Sequence, residues 1–534
     1  MSSPESPADE AKPAAAIGKP FSSVRGGVRR GSTEGEFSVK KETVSTLLGY
    51  CPTTLVNQIL RSDWNGDRRM ECETFWAACA FVDISGFSSL ASDLQSAEDI
   101  SKKAHRGGMH GRGAESLTKF LNNTLRQLIE VILNHGGDIV KFAGDAMIVV
   151  WREERGATKS HVNKAEAAAS ACLCALACVQ DLTNQAAQMM SPSRPSSTKS
   201  PGPNSPRPSK MSMSPLPGGD QQPSLNVHVG IGVGNIVGFH VGGLRNRWEY
   251  FVMGEACNQM NIAESLAKVG EVVISKATCH LLEDFSTQLG IKELKQNTKR
   301  SGFMHIQKFR CTVTPASQNS IMSKMNTLSN ADIEKLDRCL RCYIPNPIVT
   351  AVDESESLEN DGVLRELCVL FIKLNNLASV IEPNGAIERE ADKIQRTVAT
   401  VQEAAYHGRA TLRQFIIDDK GAVAIVVVGL PPVTAIKTSS RGLKIGLRIL
   451  EHGVPAQIGI TTGTCYCGTI GSRRRGDFAV VGDHINMAAR LMAAADEGTL
   501  LCDSNTMAAA RLDKSLFFGE GKKLRVKGKK EPIK

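Results

Sequence analysis

Aromatic residues are scarce in this 534-residue chain, at 5%, and none is interleaved with its basic runs, which argues against nucleic-acid binding. No apolar run is long enough to cross a bilayer; the closest, Ala165–Val179, is short, rich in Ala and Cys, and reads as a packed helix. The N-terminus lacks the charged, apolar, small-residue progression of a secretory signal. The sequence has no Walker-type loop and no nucleophile elbow. Gly230-Ile-Gly-Val-Gly234 sits inside a strand pattern, without the strand–turn–helix context of a dinucleotide fingerprint. The 15 cysteines lack metal-ligand spacing, Cys465-Tyr-Cys467 being an isolated pair. A reduced, cytoplasmic protein with small buried thiols is therefore expected.

With 41% hydrophobic and 22% charged residues, the composition is that of an ordinary multidomain globular chain. Its net charge of +9 comes partly from Arg473-Arg474-Arg475 and partly from the Lys522–Lys530 tail. Both read as solvated charge, with a polyphosphate partner as the alternative.

Residues 1–41, rich in Pro, Ser, Gly and charge, read as disordered, and 42–76 as a short helical lead-in. A first domain is expected over 77–282. It opens with strand Ala77–Ile84, then helix Ala114–Asn134, whose Leu117, Phe120, Leu121, Leu125, Leu128 and Val131 form one stripe. Strands Asp138–Phe142 and Ala146–Trp151 and helix Lys164–Ala186 follow, and later strands Val227–Val233 and Tyr250–Met253. Residues 191–224 interrupt this domain with a Pro/Ser tract carrying Ser-Pro pairs at Ser191, Ser200, Ser205 and Ser214. Residues 283–362 read as a connector. The stretch 363–534 reads as a second domain that repeats the first, so Phe81–Phe87 corresponds to Phe371–Leu377, Val229–Gly234 to Ile458–Gly463, and Tyr250–Gly254 to Phe478–Gly482.

The copies have lost complementary residues. In the first, Asp83 interrupts an apolar strand and Asp145 tips the hairpin turn, two carboxylates suited to hard divalent cations. In the second, Lys373 replaces Asp83, and Asp418 and Asp419 lie only near Asp145's place. The second copy instead carries Asn486 and Arg490, i and i+4 on one helix face, where the first has Asn258 and Ile262. A composite site between the copies, metals opposite Arg490, accounts for both losses.

Phe81–Phe87, Gly136–Ala146 and Val481–Arg490 resemble the class III nucleotidyl cyclases, and the chain from about Thr43 resembles their tandem-domain, bicarbonate-responsive soluble adenylyl branch. The resemblance implies an α/β (α+β) fold of two ferredoxin-like domains in an intramolecular pseudo-twofold dimer. It implies two Mg²⁺ or Mn²⁺ ions on Asp83, Asp145 and the Ile84 carbonyl. The Ser85-Gly86-Phe87-Ser88 backbone, Val480 and Lys527 would meet the ATP phosphates. Asn486 would orient the ribose, and Arg490 would stabilise the α-phosphate during attack by the 3′-oxygen. Gln414 and Ala479 fall at the base-recognition positions, matching neither the lysine with threonine or aspartate of adenylyl cyclases nor the glutamate and cysteine of guanylyl cyclases. Glutamine can pair with adenine without excluding guanine. ATP is the expected substrate; alternatives are a guanylyl cyclase or a non-catalytic regulatory module. The activator site would use Lys141 and Val252, but Asn261 replaces its arginine, which argues against a bicarbonate response; Lys141 could pair with Asp145 instead. The resemblance also leaves one degenerate second site, pairing Lys373 with Ile262. Lys534 falls in charged sequence where a last strand should follow, which fits a fragment of a longer protein.

Overall fold

The structure, a computed structural model, describes residues 33–85, 112–153, 160–190, 226–298, 300–313, 325–354, 362–377, 387–418, 421–431, 433, 436–521 and 523–524. Gly86, Phe87, Ser88, Asp419, Lys527, most of the lysine-rich tail and the Pro/Ser tract expected over 191–224 lie outside them.

Each copy is built around a strand that is apolar on both faces. In β1 (Glu73–Ser85), Ala77 to Ala80, Val82 and Ile84 are all buried, which requires cover on both sides. The first sheet also contains β2 (Asp138–Ala143), β3 (Ala146–Arg152), β4 (Asn226–Gly242), β5 (Trp248–Gly254), β6 (Val272–Ile274), β7 (Glu293–Thr298) and β8 (Met304–Arg310), in the order β2-β3-β1-β4-β6-β8-β7 with β5 on the far half of β4. Residues 293–310, read from the sequence as connector, thus extend the first sheet. The second sheet repeats the plan with β9 (Val363–Leu374), β10 (Thr411–Asp418), β11 (Gly421–Val428), β12 (Ala456–Gly471), β13 (Gly476–Val481) and β14 (Thr499–Cys502), ordered β10-β11-β9-β12-β13 with β14 beside β12.

Helices α1 (Thr33–Leu48) and α2 (Thr53–Arg61) form the lead-in, and α3 (Arg112–Asn134) and α4 (Ser160–Met190) cover the first sheet. Then come α5 (Glu255–Leu266), α6 (Lys276–Asp284), α7 (Asn330–Leu340) and α8 (Asn346–Asp353). The second copy holds α9 (Ile387–His407), α10 (Thr438–Glu451), α11 (Asp483–Ala494) and α12 (Ser504–Ala510). Helix α4 is longer than the sequence reading. It contains the one stretch among the described residues, His161–Leu182, long and apolar enough to cross a membrane. Ala165, Ala168, Ala169, Ala171 and Cys172 lie buried along it, and small side chains of this kind let the helix lie close on β1 and β4.

The two copies clasp each other reciprocally. Gln395 of α9 holds both backbone groups of Gly242, at 2.9 and 2.7 Å, and Gln402 donates to the Arg247 carbonyl at 2.9 Å. From the other side, buried Arg475 donates to the Ile139 carbonyl at 2.9 Å, while Arg474 meets Glu130 at 2.6 Å. Buried Arg475 is not the solvated or phosphate-facing cation of the sequence reading, whereas Arg474 stays exposed while it pairs with Glu130; both tie β12–β13 to the first copy. Helices α1, α2 and α7 share one apolar cluster with residues of both sheets. Asp138 fixes α2, its carboxylate accepting from Thr53 N at 2.8 Å and from Thr54 N and Oγ1 at 2.7 Å each, where a helix N-terminus favours negative charge.

Candidate active site

Between the copies lies a cavity of about 330 Å³. The first copy supplies the β2–β3 turn to it, with Asp145 at the tip. Ala143 pairs with Ala146, leaving a two-residue turn in which Gly144 takes a φ of 71°, a conformation glycine adopts without steric cost. The second copy supplies Gln414 from β10, Ala479 and Val480 from β13, and Asn486 from α11, over an apolar floor that includes Phe371, Ile425 and Val427. Five residues singled out in the sequence therefore meet across the interface: Asp145, Gln414, Ala479, Val480 and Asn486.

Buried Gln414 follows a bulge in β10 and donates its amide N–H to the Phe142 carbonyl of the other copy. A carbonyl can only accept, so this contact fixes the amide's orientation, and Oε1 remains as the acceptor. Beside it Arg413 and Asp477, both lining the cavity and not anticipated from the sequence, form an ion pair at 2.6 Å. They could have been found by their adjacency to Gln414 and Ala479. Asn486 and Arg490 lie four residues apart on α11, as the spacing implies, and neither makes a hydrogen bond or ion pair among the described residues. The structural ion pair that would have explained Arg490 without function is absent there. Arg490 is itself not a lining residue; Asn486 and Ala489 are.

Asp83 lies directly across from Ala146 on β3 and so stands next to Asp145 at the same end of the sheet. The Ile84 side chain is buried. Ser85 ends β1 opposite Asn226. Asp83 also meets His228, its register partner on β4, at 3.4 Å, and His228 lies 3.1 Å from Glu264 of α5. The hydrogen bond to Glu264, with the charges of Asp83 and Asp145, holds the His228 imidazole above its usual pKa despite burial. Neither His228 nor Glu264 carries a sequence signal by spacing, since a strand and a helix bring them together.

Lys141 pairs with Glu249 at 2.6 Å, not with Asp145, and both side chains are largely buried. Val252 is buried in the cluster beneath the lead-in helices and does not line the cavity. A small cavity of about 70 Å³ does include Lys141; there Lys141 and Arg413 pair with Glu249 and Asp477, while Arg247 and Arg475 donate to backbone carbonyls. Asn261 stands on α5, at the position where the resemblance would place the activator site's arginine. At the pseudo-symmetric position of the main site, Lys373 replaces Asp83 and Ile262 is half exposed to solvent.

Two copies of one α/β unit sharing a carboxylate-bearing interdomain cavity define the class. The chain belongs to the adenylate and guanylate cyclase catalytic domain family, whose model matches residues 74–308 and 394–534. It is 24% identical to adenylate cyclase type 10 of Mus musculus over 510 residues, covering 90% of this chain and 27% of the relative. It is 23% identical to the Homo sapiens protein of that name, covering 84% of this chain and 25% of the relative. The chain thus spans about a quarter of the length of these curated relatives. A solved structure of a class III adenylyl cyclase-like ATP-binding protein from Pseudomonas aeruginosa superposes with a TM-score of 0.48 at 12% identity, covering 90% of this chain and 93% of that one.

Proposed function

We propose that the chain is a class III adenylyl cyclase that converts ATP to 3′,5′-cyclic AMP and pyrophosphate for intracellular signalling. The observation that carries this reading is the shared lining of Asp145 from one copy with Gln414, Ala479 and Asn486 from the other. The adjacency of Asp83 and Asp145 supports a pair of divalent cations, Mg²⁺ or Mn²⁺, held by these carboxylates and the Ile84 carbonyl. Such ions, when bound, neutralise a polyphosphate and lower the pKa of a hydroxyl.

The remaining roles belong to the chain. Gln414, its N–H given to Phe142, offers an acceptor that suits the 6-amino group of adenine and opposes the 6-oxo group of guanine. Ala479 adds only shape. The apolar floor of Phe371, Ile425 and Val427 excludes water from the base. The Asn486 amide, uncommitted to protein among the described residues, orients the ribose so that its 3′-oxygen faces the α-phosphorus. Arg490 donates to the oxygens that gain charge as the 3′-oxygen attacks and pyrophosphate departs. No disulfide joins any of the 15 cysteines, which suits a reducing cytosol.

The test is cyclic-nucleotide production by the purified chain, with ATP and GTP supplied separately alongside Mn²⁺, and with Asp145→Asn as control. Cyclic AMP that disappears in the control is expected. Cyclic GMP from GTP would refute the reading of Gln414, and no product from a folded chain would favour a non-catalytic cyclase-homology module.

A further inference from the structure

We infer that Asp83, His228 and Glu264 form a binding site for a borderline divalent transition metal such as Zn²⁺, sharing only Asp83 with the two-cation set proposed above. The three donor atoms lie within 4.8 Å of one another, His228 Nε2 being 3.4 Å from Asp83 Oδ2 and 3.1 Å from Glu264 Oε1. Ligands held about 2.1 Å from one tetrahedral Zn²⁺ stand roughly 3.4 Å apart, so two of the three edges already match. One imidazole nitrogen with two carboxylates suits Zn²⁺, Co²⁺ or Mn²⁺, whereas Mg²⁺ prefers oxygen ligands and retains its waters. The Asp83, His228 and Glu264 side chains are 26, 13 and 24% exposed, open enough for an ion to enter and buried enough to hold it.

The fold builds this cluster through one close approach. A Cβ at Gly230 would lie 2.2 Å from Glu264 N and 2.4 Å from Met260 O, so α5 presses its backbone onto β4 there. His228 shares that strand face two residues away, and α5 delivers Glu264 to it. The second copy serves as an internal control. Its Gly459 makes the same approach, with Ala488 O at 2.1 Å and Met492 N at 2.2 Å from the added Cβ, yet Lys373, Gln457 and Met492 occupy the three ligand positions. Helix docking therefore does not require the triad. It occurs only in the copy that carries Asp83 and Asp145. Because Asp83 belongs to both sets, occupancy would withdraw one of its oxygens from the nucleotide cavity; that consequence, unlike the site, rests on the cyclase reading.

The experiment is a titration of the metal-free full chain with Co²⁺, read by visible absorption, and with Zn²⁺, read by calorimetry in excess Mg²⁺. The variants His228→Gln and Glu264→Met introduce the residues the second copy already tolerates, so both should fold. Asp145→Asn is the comparison. One Zn²⁺ is expected to bind the wild type and Asp145→Asn alike, with affinity reduced about 100-fold or more in the other two, and the Co²⁺ visible bands should vanish in His228→Gln. Equal Zn²⁺ affinity in His228→Gln and wild type would overturn the assignment. So would a thiolate charge-transfer band that persists in His228→Gln, which would put the ion on cysteines. If Zn²⁺ binding follows His228 while no cyclic nucleotide is made, the site stands and the cyclase reading falls; an active cyclase with variant-independent Zn²⁺ binding gives the reverse.

Discussion

Replacing Arg490 by alanine separates chemistry from folding, because the structure gives its guanidinium no protein partner among the described residues. A residue holding the fold through an ion pair would cost several kcal/mol when truncated. Here only the packing of a half-buried stem is lost, so stability should change by no more than about 1 kcal/mol. A donor that meets charge developing at the α-phosphate is worth far more to the rate. Its removal should lower kcat by about 10²–10³, or roughly 3–4 kcal/mol of barrier. KM for ATP should move much less, since the interaction strengthens in the transition state. The assay is cyclic AMP production under steady-state conditions, paired with urea unfolding of the same preparations. Arg490→Lys should recover part of the rate, because one point donor replaces a planar fork. An Arg490→Ala chain with wild-type kcat, or one that unfolds far more readily, would refute the reasoning.

Other expectations follow from buried groups away from the cavity. Asp138→Ala strands three donors and should destabilise the chain by about 3 kcal/mol or more, loosening α2 from β2; a urea midpoint equal to wild type would show that the contact contributes nothing. His240 is wholly buried, with Nε2 facing the Gln58 carbonyl at 3.0 Å and Nδ1 facing the Tyr343 hydroxyl at 2.8 Å. Since Gln58 gives its amide N–H to the Glu71 carbonyl, its oxygen must accept from His240, which fixes the neutral tautomer with the proton on Nε2. Burial lowers the His240 pKa to about 3, so between there and 6.5 the unfolded chain binds the extra proton. Stability from this group is complete above about pH 6.5 and is lost as pH falls, by about 2 kcal/mol at pH 5. His240→Gln should flatten that part of the pH–stability curve, and an unchanged slope would count against a neutral buried imidazole. For Gln414→Ala, the preference for ATP over GTP should narrow about tenfold or more, measured as the ratio of kcat/KM; an unchanged ratio would remove Gln414 from base selection.

Some of this molecule is local and could be read directly. The β1 run, the Gly144 turn and the period of α3 are encoded by near neighbours: apolar patterning, turn chemistry and helical spacing. The duplication made the pairing of copies legible, because Asp83 and Asp145 are retained in one copy while Asn486 and Arg490 are retained in the other. Contacts between segments distant in the chain could not be read this way. Nothing near Arg475 announces that it reaches Ile139, nothing near Lys141 that Glu249 neutralises it, and nothing near Asp138 that α2 ends upon it. The reach of the first sheet to Arg310 was equally hidden, since edge strand β7 and its neighbour β8 are largely polar and their pattern resembles a connector.

The sequence alone therefore determined the repeat, the chemistry of its carboxylates and the face carrying Asn486 and Arg490, because each depends on residue type and short-range period. Tertiary structure alone decided which way the Gln414 amide points and that His228 and Glu264 converge on Asp83. Those outcomes depend on strand register and on a helix pressed against glycine, which bring together residues that no sequence spacing relates.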